Sequence, residues 1–375
     1  MHIGKFFPPF SGGMENFMHD LAAASAALGV EQACLVHASG HPDEADARFE
    51  FLTELKRVPV ATELSYAPIA PGFARALDDM IERFRPDLLH IHLPNTSAFF
   101  ALFSRRARAL PWLLHWHSDV VGPGLDVKLK LLYPAYWPFE QWLLRRAEAI
   151  VATSPPYLES SRALARWQPR TRVIALGLDA ARIETASGPD PWGSSERLRV
   201  LGLGRLSRYK GFDTLIDAAC EVEGVELSIV GGGSERARLQ RRIPAERADR
   251  IRLVGAVDND LRNRYLAGCD LLCMPSINRA EAFGLALVEA MAAGKPKIAT
   301  RVPGSGMDWV VEEGRTGWMV EPRNPTALAE LLRRLERDRG SVREYGRAAR
   351  EQFEQRFRID AVARQVVALY RKLMN

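Results

Sequence analysis

The stretch Gly202-Leu203-Gly204-Arg205-Leu206-Ser207-Arg208-Tyr209-Lys210-Gly211 decides the architecture. The residues leading into it, from Leu198 on, form an apolar run of strand length, and a helical pattern starts near Phe212. The quoted loop therefore turns a strand into a helix. In open sheets of alternating strands and helices, ligands bind outside the carboxyl ends of the strands, where such loops lie. Arg205 offers a flat fork of donors and Lys210 a point charge, a pair suited to a diphosphate and to charge developing on a diphosphate leaving group. A solvated basic loop is the plainer reading. Glycine just before Arg205 and just after Lys210 favours the ligand loop.

The same alternation runs outward in both directions. Upstream, 2–6, 32–36, 88–92, 112–116 and 150–153 read as strands, with helices over 14–28, 72–84, 98–110 and 127–147. Downstream, 198–203, 226–230, 251–254, 271–274 and 297–300 read as strands, and helices begin near Phe212, Ser234, Asp258 and Gly284. Helical stretches over 325–337, 342–357 and 360–373 close the chain. Between the halves, 184–197 is rich in Gly, Pro and Ser and reads as a linker. The expectation is two doubly wound α/β domains, 1–183 and 198–357, with a ligand cleft between them and a C-terminal helix, 358–375, returning to the first.

Composition agrees with this and excludes other classes. The 375 residues suffice for two ordinary domains, and 47% hydrophobic with 26% charged residues is normal for a globular chain. No repeat or low-complexity tract is present. Pro8-Pro9 interrupts the start too early for a signal peptide, and no apolar run reaches bilayer length, so the cytoplasm is expected. Cys34, Cys220, Cys269 and Cys273 lack companions at zinc-site spacing and read as reduced core thiols. The net charge of +5 favours anionic partners without choosing among them.

Three further constellations carry chemistry. Pro8-Pro9-Phe10-Ser11-Gly12-Gly13-Met14-Glu15-Asn16 opens the first helix, and Gly12 and Gly13 would let a phosphate approach its free N–H groups; a simple turn reads equally well. In Arg279-Ala280-Glu281-Ala282-Phe283-Gly284-Leu285-Ala286-Leu287-Val288-Glu289, Glu281 sits in a loop before a helix mouth and could accept sugar hydroxyls. Glu289 lies in an otherwise apolar helix and needs a partner, which ribose hydroxyls would supply. Helix-start acidity for Glu281 and a surface position for Glu289 are the plainer readings. His90 and His92, then His115 and His117, cluster at strand ends; core histidines with backbone partners are the default, with no metal ligand set expected. His117 lies past its strand's end and reads as a cleft residue.

Taken in order, these motifs resemble the GT-B fold glycosyltransferases of family GT4, a large retaining group. The resemblance covers nearly the whole chain and rests on Gly12-Gly13 with Glu15, on His117, on Gly204-Arg205 with Lys210-Gly211, and on Glu281 and Glu289 with seven residues between. It implies two Rossmann-like domains. It implies that Arg205 and Lys210 bind the donor diphosphate with Gly13 closing over it, and that Glu281 holds sugar hydroxyls, aided by N–H groups at Phe283, Gly284 and Leu285. Glu289 would bind the ribose, the stretch 253–257 around Val254 the base, and His117 would line the sugar and acceptor pocket. No metal and no cofactor beyond the nucleotide-sugar donor is implied, and the anomeric configuration would be retained. After the 297–300 strand the chain departs from the common double glycine and glutamate, reading Val302-Pro303-Gly304-Ser305-Gly306-Met307-Asp308-Trp309. With His115-Trp116-His117-Ser118-Asp119, this resembles mannosyltransferases of O-antigen and exopolysaccharide assembly. GDP-mannose is the leading donor, UDP-sugars next.

The acceptor is expected on the first half, as a lipid-diphosphate-linked glycan. Over 125–146, Lys128, Lys130, Arg145 and Arg146 mix with Leu131, Tyr133, Tyr136, Trp137, Phe139 and Trp142, a composition suited to the surface of an anionic membrane or to a buried helix with a solvated basic face. A nucleotide-sugar epimerase of the same fold and a non-catalytic sugar-nucleotide-binding protein are the alternatives. Nucleic-acid binding finds no module, and a dehydrogenase finds no GxGxxG.

Overall fold

The computed structural model describes residues 1–10, 12–44, 47–64, 67–120, 127–184, 188–193 and 196–374. Side chains of 121–130 fall outside that set, and with them the expected roles of Lys128 and Lys130; Ser11 falls outside it as well. The chain divides into two compact units, Met1–Leu178 with Ile359–Asn375, and Asp179–Arg358.

The first unit is built on β1 (His2–Ile3), β2 (Ala33–His37), β3 (Glu54–Val58), the hairpin β4 (Thr62–Leu64) and β5 (Ala67–Ile69), β6 (Leu89–Leu93), β7 (Trp112–Trp116), β8 (Ala149–Ala152) and β9 (Thr171–Val173). Apart from the hairpin these form one parallel sheet in the order β3-β2-β1-β6-β7-β8-β9. Its inner strands are buried on both faces, as helices on both sides require. The terminal helix Ile359–Met374 belongs to this unit and packs on the helix Gly13–Ala26.

The second unit holds β10 (Leu198–Leu203), β11 (Val225–Val230), β12 (Ile251–Gly255), β13 (Leu271–Met274), β14 (Lys297–Thr300) and β15 (Gly317–Val320), all parallel, in the order β12-β11-β10-β13-β14-β15. Leu215, Ile216, Leu227, Ile229, Leu271 and Ile298 sit in one core of leucine, isoleucine and valine under its helices.

Several expectations need correction. The strand over 2–6 is regular only through Ile3, although Gly4 N–H still donates to the Leu35 carbonyl (3.0 Å) and the Lys5 carbonyl still accepts from His37 N–H (3.0 Å). The helix over 98–110 is broken into Phe100–Phe103 and Arg105–Arg108, since Ser104 is extended and caps the second piece through Ala107 N–H. β3, the hairpin, β9 and β15 went unread: Glu54–Val58 and Thr171–Val173 are edge strands with half-exposed, charge-bearing sequences. The proposed linker is folded structure where it is described. Trp192 is buried and donates from Nε1 to the Tyr265 carbonyl (2.9 Å), and Asp190 pairs with Arg199 (2.9 Å). The unit boundary therefore falls at 178/179.

Candidate functional site

In each sheet the strand order reverses once, between β1 and β6 in the first unit and between β10 and β13 in the second. Loops leaving two adjacent strands at such a point go to opposite faces and open a crevice at their carboxyl ends. The loop after β10 carries Arg205 and Lys210; the loop after β13 carries Glu281. Residues 71 apart in sequence are thus neighbours, and Lys210 Nζ lies 2.5 Å from Glu281 Oε2. Both side chains are 11% exposed. Burial alone would lower the pKa of the Lys210 ammonium, but the adjacent Glu281 carboxylate outweighs it and raises it above the ordinary lysine value.

Local sequence explains how this pair is held. Gly211 takes φ +65 at the cap of the helix Phe212–Cys220, and a Cβ there would stand 2.1 Å from the Pro275 carbonyl oxygen. Only glycine lets the loop close against the end of β13. At Gly204 a Cβ would meet Lys210 Cε and Nζ at 3.3 Å, so the missing side chain is the room the ammonium uses. Arg205 by contrast is exposed, at the rim. Glu281 is braced from behind: Ser276 Oγ donates to its Oε2 (3.2 Å) and Ser305 Oγ to its backbone carbonyl (2.6 Å). Neither serine was singled out as a brace from sequence, although Ser305 lies in the unusual Pro303-Gly304-Ser305-Gly306 run.

The helix Leu285–Ala292 begins behind Gly284, whose φ of +82 makes the turn, and its first N–H groups face the same end of the sheet. Leu285 is half-buried there. Phe283 is buried against Trp309 and Phe357, so its ring is a core element and only its backbone is available to a ligand. Glu289 has a protein partner that sequence reasoning missed: Arg262, from the helix Asn259–Gly268, forms an ion pair with its Oε2. A ribose is therefore not needed to account for that buried carboxylate. Val254 is half-buried on β12, and Arg236 reaches the neighbouring Leu253 carbonyl (3.1 Å), putting a guanidinium beside the expected base stretch.

In the first unit, Gly12 caps the helix Gly13–Ala26 in extended conformation, and Glu15 folds back on it: a Cβ at Gly12 would lie 2.2 Å from Glu15 Oε2. A larger residue at Gly12 would thus displace the Glu15 carboxylate, while Gly13 is exposed. His117 is 8% exposed and does not stand alone. Register puts His2 opposite His90 and His92 opposite His115, and alternation adds His117, so five imidazoles share one face of β1, β6 and β7. They stack with centroids 4.4–5.5 Å apart along the ladder. Their partners are one another rather than backbone groups. Burial holds His2 and His117 down to about 3 and His90, His92 and His115 well below the usual histidine value. Two sets, His2-His90-His92 and His92-His115-His117, each bring three ring nitrogens within 4.8 Å of one another and could ligate a metal. Neither set contains a carboxylate, so a dication there would be buried without charge compensation.

Comparison with known proteins agrees with this geometry. Residues 191–352 match the family described as glycosyl transferases group 1, and residues 12–177 the glycosyl transferase 4-like domain. An O-antigen chain mannosyltransferase of Escherichia coli is 27% identical over 100% of this chain and 98% of its own. A D-rhamnosyltransferase of Pseudomonas aeruginosa is 30% identical over 66% of this chain and 64% of its own. Among solved structures, Anabaena HepE in complex with UDP superposes with a TM-score of 0.75 at 22% identity, covering 99% of both chains. Sucrose-phosphate synthase of Thermosynechococcus elongatus gives 0.78 at 24% identity, covering 99% of this chain and 98% of that one. The chain belongs to the glycosyltransferases, its two halves matching the 4-like and group 1 domains of the GT-B fold.

Proposed function

We propose that the chain transfers a hexose, with retention and without a resident metal, from a nucleotide diphosphate sugar to a glycan acceptor of cell-surface polysaccharide assembly. The observation that carries this is the Lys210–Glu281 pair at the strand-order reversal of the second unit: a cation kept charged in a partly buried loop, with a carboxylate beside it. Lys210, with Arg205 at the rim, takes the diphosphate and the charge that grows on it; Glu281 takes sugar hydroxyls; Glu289 shares its carboxylate between Arg262 and the ribose. As the anomeric carbon–phosphate oxygen bond breaks, its electron pair goes to the diphosphate. The acceptor oxygen bonds to that carbon from the same face, and its proton passes to the departing phosphate oxygen.

Mannose from GDP-mannose is the first donor to test, since the full-length relative in Escherichia coli is a mannosyltransferase, as is a phosphatidyl-myo-inositol mannosyltransferase of Mycobacterium leprae at 27% identity over 99% of this chain. UDP-sugars follow, given the UDP complex of HepE. A lipid-linked acceptor is supported by exposed apolar side chains on the first unit: Phe103 (60% exposed) packs with Phe139 (37%) and Trp142 (43%), Leu131 (75%) is on the same helix as the last two, and Arg105, Arg108 and Arg145 are exposed as well. No helix among the described residues is long and apolar enough to cross a membrane, so contact would be peripheral.

The test is a thermal-shift screen against GDP, UDP, ADP, GDP-mannose and UDP-sugars. A ligand that binds only the folded chain raises the midpoint by mass action. A shift with one nucleotide, lost in Lys210→Ala, supports the donor site. No shift with any of them, together with no transfer of labelled sugar to lipid-linked glycan, overturns it.

A further inference from the structure

The histidine ladder carries an inference of its own. At one end, Gln32 Nε2 lies 3.2 Å from the Val30 carbonyl, which only accepts, so the amide orientation is fixed and Oε1 is the atom 2.9 Å from His2 Nε2. Oε1 only accepts, so His2 carries its proton on Nε2. A neutral imidazole has one N–H, which leaves His2 Nδ1 as an acceptor. His92 Nε2, 3.0 Å away, must then donate to it. The same step repeats: His92 Nδ1 accepts, and His117 Nε2, 3.0 Å away, donates. His117 therefore carries its proton on Nε2, and its Nδ1 lone pair is bare. That atom is buried and has no hydrogen-bond partner among the described residues. Neutrality of all three rings follows from their burial and mutual stacking.

We infer that Gln32 is a positioning residue for His117: acting through His2 and His92, it fixes the His117 tautomer so that Nδ1 meets a substrate hydroxyl as an acceptor. This rests on the reading of His117 as a hydroxyl-binding residue. Reversing the chain of protons would set the His2 Nε2 lone pair against Gln32 Oε1, a mismatch that holds the reversed form below about a tenth of molecules. The second branch of the ladder gives no such direction. It runs from Tyr370 through His90 (2.6 Å) to His115 (3.3 Å), and a tyrosine hydroxyl both donates and accepts. A metal on His92, His115 and His117 would need the His92–His117 hydrogen bond broken and would bring in charge with no anion nearby, so the hydrogen-bonded ladder is the better account of the same atoms.

The experiment is long-range nitrogen–proton NMR on histidine-labelled full-length protein, with resonances assigned through single His→Gln variants, alongside steady-state kinetics. The wild type is expected to show Nε2–H at His2, His92 and His117. Gln32→Met, which removes the acceptor, is expected to give mixed tautomers at His117 and to lower kcat/KM by roughly 3- to 10-fold. Gln32→Glu keeps an acceptor and is expected to restore both. Nδ1–H at His117 in the wild type overturns the inference, and that readout needs no variant to fold. An unchanged His117 tautomer in Gln32→Met also overturns it, as does stoichiometric Zn²⁺ binding that shifts His117 Nδ1. A wild-type protein with the expected tautomers and no transferase activity on any donor sinks the transfer reading and removes the substrate role of Nδ1 with it, while leaving the tautomer assignment standing.

Discussion

The ladder also makes a strong prediction about acid. His2, His90, His92, His115 and His117 are all buried, and their pKa values in the folded chain lie well below the usual histidine value, near 3 for His2 and His117. In the unfolded chain each ring returns to about 6.5. Since the folded values are depressed, the unfolded chain takes up protons first as pH falls. Stability is full above about pH 7, is lost progressively below about 6.5, and goes on falling until the folded rings themselves protonate. Each ring costs ~0.8 kcal/mol at about pH 6 and ~2 kcal/mol at about pH 5. Five rings together remove ~4 and then ~10 kcal/mol, against a whole-domain stability of ~5–15 kcal/mol. The first unit is therefore expected to lose its fold near pH 5 while the second, which holds none of these rings, persists. Urea melts at about pH 7.5, 6 and 5, with hydrogen exchange resolved along the chain, measure this. Protection should vanish over β1, β6 and β7 before β10 and β13. A urea midpoint that does not move over this range, or protection lost first in 179–358, would refute the reasoning.

Four further outcomes are expected. Lys210→Ala takes the ammonium from the Glu281 carboxylate and leaves Ser276 beside it, and should cost about 3 kcal/mol in a chemical melt as well as abolish nucleotide-induced stabilisation. Gly211→Ala forces a Cβ into the Pro275 carbonyl at positive φ, and should cost about 3 kcal/mol and weaken donor binding by displacing Lys210; a neutral result in both assays contradicts the packing argument. Trp192→Ala empties a buried site in a segment whose composition suggests a linker, and should cost ~3–5 kcal/mol, where a true linker residue would cost nothing measurable. Leu131→Ser with Trp142→Ser should remove salt-sensitive flotation with anionic vesicles while leaving the melting temperature within about 1 °C, because both side chains are already largely exposed.

Legibility in the sequence follows burial. β7, β10, β13 and β14 are short, mostly buried runs rich in apolar residues and were read to the residue, since strands covered on both faces favour that composition. The edge strands Glu54–Val58 and Thr171–Val173 carry charges on their open side and look like loop. Lys210 and Glu281 were each legible as candidate site residues, because both motifs follow strands, but their contact was not. That the two loops adjoin is a fact of strand order, which no local pattern encodes. Arg262 was missed for the same reason: its partner, Glu289, is on another helix, and an arginine on a polar helix carries no mark in the sequence. His2 was passed over as a terminal residue, yet register sets it opposite His90 and makes it the link between Gln32 and the rest of the ladder.

The two units handle polarity in opposite ways, and each way suits a different part of a glycosyl transfer. In the second unit the candidate site carries paired charges, Lys210 with Glu281 and Arg262 with Glu289. Proximity of opposite charges keeps the Lys210 ammonium protonated despite burial, which suits the diphosphate proposed for it. In the first unit the buried rings of the histidine ladder are neutral and directional. Five stacked imidazoles stay uncharged because a proton on any one would lack solvent and would repel the next. What they offer instead is orientation, an acceptor lone pair fixed from Gln32 through three hydrogen bonds of 2.9, 3.0 and 3.0 Å. A hydroxyl, which has one proton to give, can be met by such a lone pair as well as by a carboxylate. The same contrast explains why the first unit should fail in acid while the second persists: protonation destroys a neutral directional network, whereas a lysine whose pKa is raised stays charged on that side of neutrality.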